Sequence, residues 1–203
     1  MSYRPLDTRS VRPPAEDAED HRTVDWWGLI FLIVVILAFF SSVMFSFFFL
    51  RFNAEQWPPA SIERPTLLLP TIATLTLLAS CLPLIWMQRV LGKGERPRFN
   101  VGLGLNTGLS VAFLAILIVS LSMLDFGATT NAYGSAFIVT VGFLVVLAIA
   151  GLYVGAIVQA RAWKGHFNGP RHVAVTSLST YWYVLTAMWM VVYVSLYLLP
   201  YIE

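Results

Sequence analysis

Charge and histidine are missing from the long apolar stretches of this sequence. Five stretches contain no Asp, Glu, Lys, Arg or His: 26–50, 65–88, 99–124, 126–160 and 173–202. All 13 basic and all 11 acidic residues therefore fall in the shorter segments between and around them. Ionisable side chains inside membrane spans mark proton relays and ion pathways. Their absence predicts a chain that neither pumps nor conducts by itself.

Metal ligands are also scarce. The chain has one cysteine, Cys81, and its histidines His21, His166 and His172 all lie outside the apolar stretches. A lone cysteine excludes an internal disulfide and a metal site built on two thiolates, so we interpret Cys81 as a small packing residue. We expect His166 and His172, which have no nearby carboxylate in the sequence, to lie exposed near lipid headgroups. We predict no catalytic residue, no metal site and no cofactor in this chain.

Apolar length is what the sequence has in abundance. A helix needs roughly 20 apolar residues to cross the hydrocarbon layer, and each stretch is longer than that. In lipid, backbone hydrogen bonds are satisfied only in helices or closed barrels, and stretches apolar on every face are unlike barrel strands. We predict an all-α polytopic membrane protein, with a bundle over 25–203. Its five transmembrane helices are expected at about 26–50, 66–88, 101–124, 133–158 and 175–198.

The first 24 residues have a different composition. They include Pro5, Pro13 and Pro14 and an acidic cluster between positions 16 and 20. Such a segment buries too little apolar surface to offset the entropy of ordering. We predict a disordered cytoplasmic tail over 1–24, with a docking segment for a partner as the alternative.

Arginine and lysine are distributed unevenly between the two sides of the membrane. With a cytoplasmic N-terminus, Arg51 and Arg64 are the only basic residues outside, and the other eleven lie inside. Cytoplasmic loops carry the excess of positive charge in membrane proteins. We therefore predict a cytoplasmic N-terminus and a periplasmic C-terminus. The net charge of +2 is an orientation signal, and no nucleic-acid partner is predicted.

Small residues mark candidate helix contacts. Gly104 and Gly108 stand four apart in the third span, and Gly151 and Gly155 four apart in the fourth. Such pairs let helix backbones approach closely in membranes. Gly142 is a further packing candidate. The contact is either within this bundle or with another subunit, and the sequence leaves both open.

The last span carries an aromatic stripe. Its members recur at intervals of three or four and so share one helical face: Trp182, Thr186, Trp189, Tyr193 and Tyr197. Trp189 falls near the middle of the bilayer, where an unpaired indole N–H is costly, so we expect it to face protein. The stripe predicts an interface, either inside the bundle or with another subunit.

Several motifs together resemble one family, subunit III of the haem-copper respiratory oxidases in its five-helix bacterial form. The resemblance covers about 26–203. The residues that carry it are Trp57-Pro58-Pro59 in the first outer loop; Leu77-Leu78-Ala79-Ser80 and Trp86 in the second span; Tyr133-Gly134-Ser135, Phe137 and Gly142-Phe143 in the fourth; and Tyr181-Trp182, Trp189 and Tyr193 in the last.

The resemblance implies a non-catalytic structural subunit of a terminal oxidase in aerobic respiration. Its partners are then oxidase subunits I and II, which hold the haem and copper, within an oxidase that can join a larger respiratory supercomplex. Phospholipid is expected in grooves between its helices. The implied location is a bacterial cytoplasmic membrane.

The chain departs from the family at polar positions. Apolar or small residues stand where many members have a membrane carboxylate, two histidines and an asparagine: Ile36, Leu144, Leu147 and Ala73. Tyr183 and Thr186 replace a usual His and Asp. These departures suggest a divergent branch, which serves an unusual oxidase or, as an accessory subunit, a nitric oxide reductase. A membrane assembly factor also stays open, because it needs no chemistry within the membrane. A transporter is disfavoured, because it would need polar residues or broken helices at the midplane.

Overall fold

The computed structural model describes residues 16–59, 62, 65–91, 96–163 and 173–202. Its long helices are α1 (Glu16–Asn53), α2 (Leu68–Leu91), α3 (Arg96–Ser122), α4 (Ala132–Trp163) and α5 (Val173–Val192). The chain then continues through a π-helical segment, Tyr193–Leu198, into the short α6, Leu199–Ile202. No strand occurs in the residues described, and the predicted all-α class is confirmed.

Five helices are long and apolar enough to cross a membrane, as the sequence predicted. They are Trp26–Asn53, Leu68–Arg89, Asn100–Ser122, Ala132–Trp163 and Ala174–Ile202. The fourth runs beyond the predicted end at Val158, because its last turns carry Arg161 and Trp163, residues suited to the headgroup layer.

The first helix begins before its apolar stretch. The predicted disordered tail covered 1–24, of which residues 1–15 lie outside the described residues. Residues 16–24 form the first turns of α1. Acidic residues favour a helix N-terminus, and the sequence supplies several between positions 16 and 20.

The last span occupies the centre of the bundle. Ala174–Ile202 packs against α1, α2 and α4. Within its apolar stretch, 56% of the residues are buried in the described structure. α3 packs on α2 and α4. α1 lies at the edge, in contact with α4 and α5, and only 11% of the residues in its apolar stretch are buried.

The connection before α4 fixes where that helix begins. Oδ1 of Asn131 accepts the backbone N–H of Gly134 at 2.8 Å, which is the hydrogen bond of an N-cap. Oγ1 of Thr130 accepts the N–H of Gly127 at 2.9 Å. A Cβ on Gly134 would lie 2.5 Å from the Gly127 carbonyl oxygen. The turn therefore requires glycine at position 134.

Proline explains the π-helical segment. Pro200 has no N–H, and in a regular helix its ring would clash with the carbonyl of Leu196, four residues earlier. Just before Pro200, the N–H of Leu199 bonds to the carbonyl of Val194, five residues back. The wider turn relieves the crowding and lets the helix continue to Ile202.

Candidate functional site

The aromatic stripe of the last span faces the interior of the bundle. Trp182, Trp189, Tyr193 and Tyr197 are buried. Trp189 is fully covered, and its ring centroid lies 5.4 Å from that of Phe113 on α3 and 6.2 Å from that of Tyr197. The stripe therefore forms the contact surface between α5 and the helices around it.

A column of hydrogen bonds joins the last span to α2. Nε1 of Trp189 donates to Oγ1 of Thr74 at 2.8 Å. One turn further on, the hydroxyls of Tyr193 and Thr71 are 2.6 Å apart. The indole thus has the protein partner that its position in the membrane demands.

The column extends in both directions from this pair of contacts. Towards the start of α5, Sγ of Cys81 lies 3.6 Å from Oγ1 of Thr186, and Tyr183 on the same helix is half-buried. Towards the end of the last span, the hydroxyl of Tyr201 donates to the carbonyl of Pro65 at 2.9 Å. All of these groups are neutral, so the column stabilises the bundle without buried charge.

Asn106 is a contact that the sequence interpretation missed. It is buried on α3, and its Nδ2 donates to the backbone carbonyl of Ser80 on α2 at 3.1 Å. Pro83 lies three residues further along α2 and has no N–H to donate to the carbonyl of Ala79, the residue before Ser80. Contacts from a neighbouring helix are one way in which a membrane helix tolerates proline. In the sequence, a carboxamide side chain within an uncharged stretch is the signal that could have indicated this contact.

The glycine pair of α4 lies at a close helix contact. A Cβ on Gly151 would lie 2.6 Å from Cε1 of Tyr181 and 3.3 Å from the ring of Trp182. One turn later, a Cβ on Gly155 would lie 3.9 Å from Leu178. Gly151 therefore gives space to the ring of Tyr181, whereas Gly155 is in ordinary contact with Leu178.

The glycine pair of α3 is not used inside the bundle. No described atom lies within 4 Å of a Cβ placed on Gly104, Gly108 or Gly142. Gly104 and Gly108 are exposed, whereas Gly142 is half-buried. The close contact of α3 is instead at Gly102, which the sequence did not single out, where a Cβ would lie 3.1 Å from the ring of Trp86.

The outer-loop motif packs on the end of the bundle. The half-buried ring of Trp57 meets Tyr133 at 5.0 Å and Phe47 at 5.5 Å between centroids, both edge to face. The Trp57–Pro58 peptide bond is cis, and Pro58 and Pro59 are half-buried. The motif therefore connects the first outer loop to the start of α4.

The positions where the chain departs from the family lie in apolar surroundings. Ile36 and Leu147 line one small apolar pocket between α1, α4 and α5. Tyr181 lines it too, but its hydroxyl donates to the carbonyl of Leu147 at 2.7 Å and is satisfied there. Leu144 and Ala73 are fully covered by the chain. Two positions where the resemblance implies polar residues are thus occupied by apolar side chains that line one pocket.

Charged and aromatic residues lie at the ends of the helices. Arg89 and Arg161 are exposed near the ends of α2 and α4, close in sequence to the exposed Trp86 and Trp163. Within the described part of the chain, no group of three or more His, Cys, Asp or Glu could hold a metal ion. His166 and His172 lie outside the described residues, so their predicted exposure stays a prediction.

Comparisons with known sequences give the same family as the motifs. Residues 22–201 match the family described as cytochrome c oxidase subunit III. The chain is 26% identical to cytochrome c oxidase subunit 3 of Synechocystis sp., over 95% of this chain and 84% of that protein. It is 27% identical to the Lumbricus terrestris protein and 28% identical to the Equus caballus protein of the same name. Each match covers 84% of this chain and 68% of the relative.

Proposed function

This chain belongs to the cytochrome c oxidase subunit III family, and from that membership we propose that it is a permanent, non-catalytic subunit supporting the haem-bearing part of a terminal oxidase. The family and the names of its relatives indicate subunit III of a cytochrome c oxidase. They do not favour an accessory subunit of a nitric oxide reductase or an assembly factor. The observation that carries the proposal is the family match over 22–201 in a chain of five spans.

The interior of the bundle supports a structural role. A proton or ion pathway through a bundle is usually marked by ionisable side chains within the membrane. In the described part of the bundle, hydroxyl, indole and carboxamide groups make hydrogen bonds between the helices, as between Trp189 and Thr74. In this proposal haem and copper belong to subunits I and II, and this chain contributes surface and rigidity.

The exposed faces of α1 and α3 are the proposed contacts with the rest of the oxidase. Most of α1 is left uncovered by its own chain. On α3, Gly104 and Gly108 offer a backbone surface that no described atom approaches. Because small residues let helices approach closely in lipid, we assign the α3 face, centred on these glycines, to a helix of a core subunit.

The helix ends support the proposed orientation and lipid contacts. Arg89 and Arg161 lie at the ends of α2 and α4 that are cytoplasmic when the N-terminus is cytoplasmic, which obeys the positive-inside rule. Anionic headgroups attract basic side chains at this surface, and tryptophan favours the same layer. We therefore propose a bacterial cytoplasmic membrane, with phospholipid bound near Arg89 and Arg161.

Purification through an affinity tag on this chain tests the proposal. We expect haem-bearing subunits to co-purify at equal stoichiometry, with the haem spectrum residing in those subunits. Oxidase prepared without this chain should keep its haem spectrum but unfold at a lower temperature. A chain that purifies alone, or that carries its own haem or copper, would contradict the proposal. Association only during assembly would instead identify an assembly factor.

A further inference from the structure

Two buried tyrosine hydroxyls near the outer end of the bundle have no hydrogen-bond partner within the described residues. They belong to Tyr133 in the first turn of α4 and Tyr197 in the π-helical segment. Both residues are 1% exposed. Both rings pack on Phe137, with centroid distances of 5.9 Å and 5.3 Å. The two tyrosines are also close enough to interact electrostatically.

Further hydroxyls lie beside this pair. Ser120, buried near the end of α3, is a neighbour of the Tyr197 hydroxyl, although the two do not form a hydrogen bond of good geometry. Tyr201 is close enough to Tyr133 for their hydroxyls to interact electrostatically, and its side chain is 44% exposed. The hydroxyls of Tyr201, Tyr133, Tyr197 and Ser120 thus lead from the surface into the bundle.

A buried hydroxyl without a partner is costly, and native proteins leave few of them. Each hydroxyl here donates one hydrogen bond and accepts others, and a buried water commonly makes about three hydrogen bonds to such groups. We propose that a bound water molecule bridges the hydroxyls of Tyr133, Tyr197 and Ser120. The site lies between α3, α4 and the π-helical segment, close to the partly exposed Tyr201.

The π-helical segment gives this site its geometry. A π-bulge shifts the residues after it around the helix axis relative to a regular α-helix. The hydroxyl of Tyr193 forms a hydrogen bond with that of Thr71 on α2. The ring of Tyr197, one turn later, packs against Phe137 on α4. The π-helical segment therefore accommodates the ring of Pro200 and also directs Tyr197 towards α4, where the water would bind.

Phenylalanine substitutions distinguish a water bridge from orphan hydroxyls by the sign of the effect. With a bridging water, Tyr133→Phe and Tyr197→Phe each remove one of its partners, and each should lower the melting temperature by roughly 2–4 °C. The double variant should lose less than the sum, because both changes remove the same bridge. Single variants with unchanged or raised melting temperatures would overturn the proposal, since removing an orphan hydroxyl relieves a cost.

The measurement uses the protein as purified from the membrane, with whatever subunits accompany it, so its outcome does not depend on the proposed function. Tyr153→Phe is the matched control, because Tyr153 is on the same helix, 70% exposed, and should leave the melting temperature unchanged. A density map that resolves waters decides independently if the variants fold poorly. A peak about 2.7–3.0 Å from both tyrosine oxygens supports the site. Hydroxyls bonded directly to protein groups, with no peak between them, exclude it.

Discussion

The first and last spans of this chain show opposite relations between apolarity and burial. α1 is the more apolar of the two, yet only 11% of the residues in its apolar stretch are buried, against 56% in the last span. In a soluble protein the more apolar helix would be expected inside. In lipid, the hydrophobic effect does not separate inside from outside, and polar contacts and close packing decide which helix occupies the centre.

The two spans differ in where their polar side chains bond. In α1, the hydroxyls of Ser42 and Ser46 donate to the carbonyls of Ala38 and Ser42 in the same helix, each at 3.0 Å. In the last span, Trp189 and Tyr193 reach across to α2. A helix whose polar groups are satisfied locally can stay at the edge, whereas one that needs partners is held by its neighbours.

Removing the central indole should have the largest effect. Trp189→Ala deletes a fully covered side chain, and truncating a buried Phe or Trp costs roughly 3–5 kcal/mol. We expect a marked fall in the thermal stability of the detergent-solubilised protein. Trp163→Ala on α4 is the matched control, since Trp163 is 73% exposed. Equal effects of the two substitutions would show that burial within the bundle does not determine stability.

The two glycine pairs should separate packing within the chain from packing against a partner. Gly151→Ala places a Cβ 2.6 Å from Tyr181, and overpacking of this kind costs about 1–3 kcal/mol. Gly108→Ala meets no described atom beyond its own helix backbone, so the isolated chain should lose no stability and can gain about 0.5–1 kcal/mol from the higher helix propensity of alanine. The measurement is thermal unfolding of each variant in the same detergent.

The substitution Gly108→Leu then tests the proposed α3 contact with a core subunit. A large side chain there should reduce co-purification of the haem-bearing subunits while the isolated chain stays folded. Undiminished co-purification would assign the α3 face to lipid.

Loss of a single interhelical hydrogen bond should have an intermediate effect. Thr74→Val removes the acceptor of the Trp189 N–H, and such bonds in membranes are worth about 0.6–2 kcal/mol. Thr76→Val is the control, because the Thr76 hydroxyl bonds only within its helix, to the carbonyl of Ile72 at 2.8 Å. In a cycle with Trp189→Phe, the effects of Thr74→Val and Trp189→Phe should be strongly non-additive. Additive effects would mean that the bond contributes nothing beyond the packing.

Much of the architecture could be predicted from the sequence because lipid leaves few alternatives. Uncharged stretches of sufficient length have to be helices, and the five spans follow from that constraint. The demand of an indole N–H for a partner placed Trp189 against protein, and Thr74 supplies the acceptor. These predictions depend on one residue or one stretch and on the solvent around it.

Contacts between two helices could not be predicted in the same way. Gly104 with Gly108 and Gly151 with Gly155 have the same spacing, yet only the second pair is packed within the described bundle. The difference is that Tyr181, on another helix, lies over Gly151. Asn106 was missed for a related reason, because its partner is a backbone carbonyl on another helix, near Pro83. The sequence of one span does not indicate which other span packs against it.

The smallest effect is expected for the serines of α1. Ser42→Ala and Ser46→Ala remove hydroxyls that bond only to carbonyls of the same helix, and those carbonyls keep their backbone donors. Because both serines are exposed at the edge of the bundle, we expect the stability of the isolated chain to change by less than about 0.5 kcal/mol. Thermal unfolding of the double alanine variant beside Thr74→Val measures the contrast. A loss comparable to that of Thr74→Val would mean that local satisfaction of a polar group does not explain why α1 stays outside and the last span within.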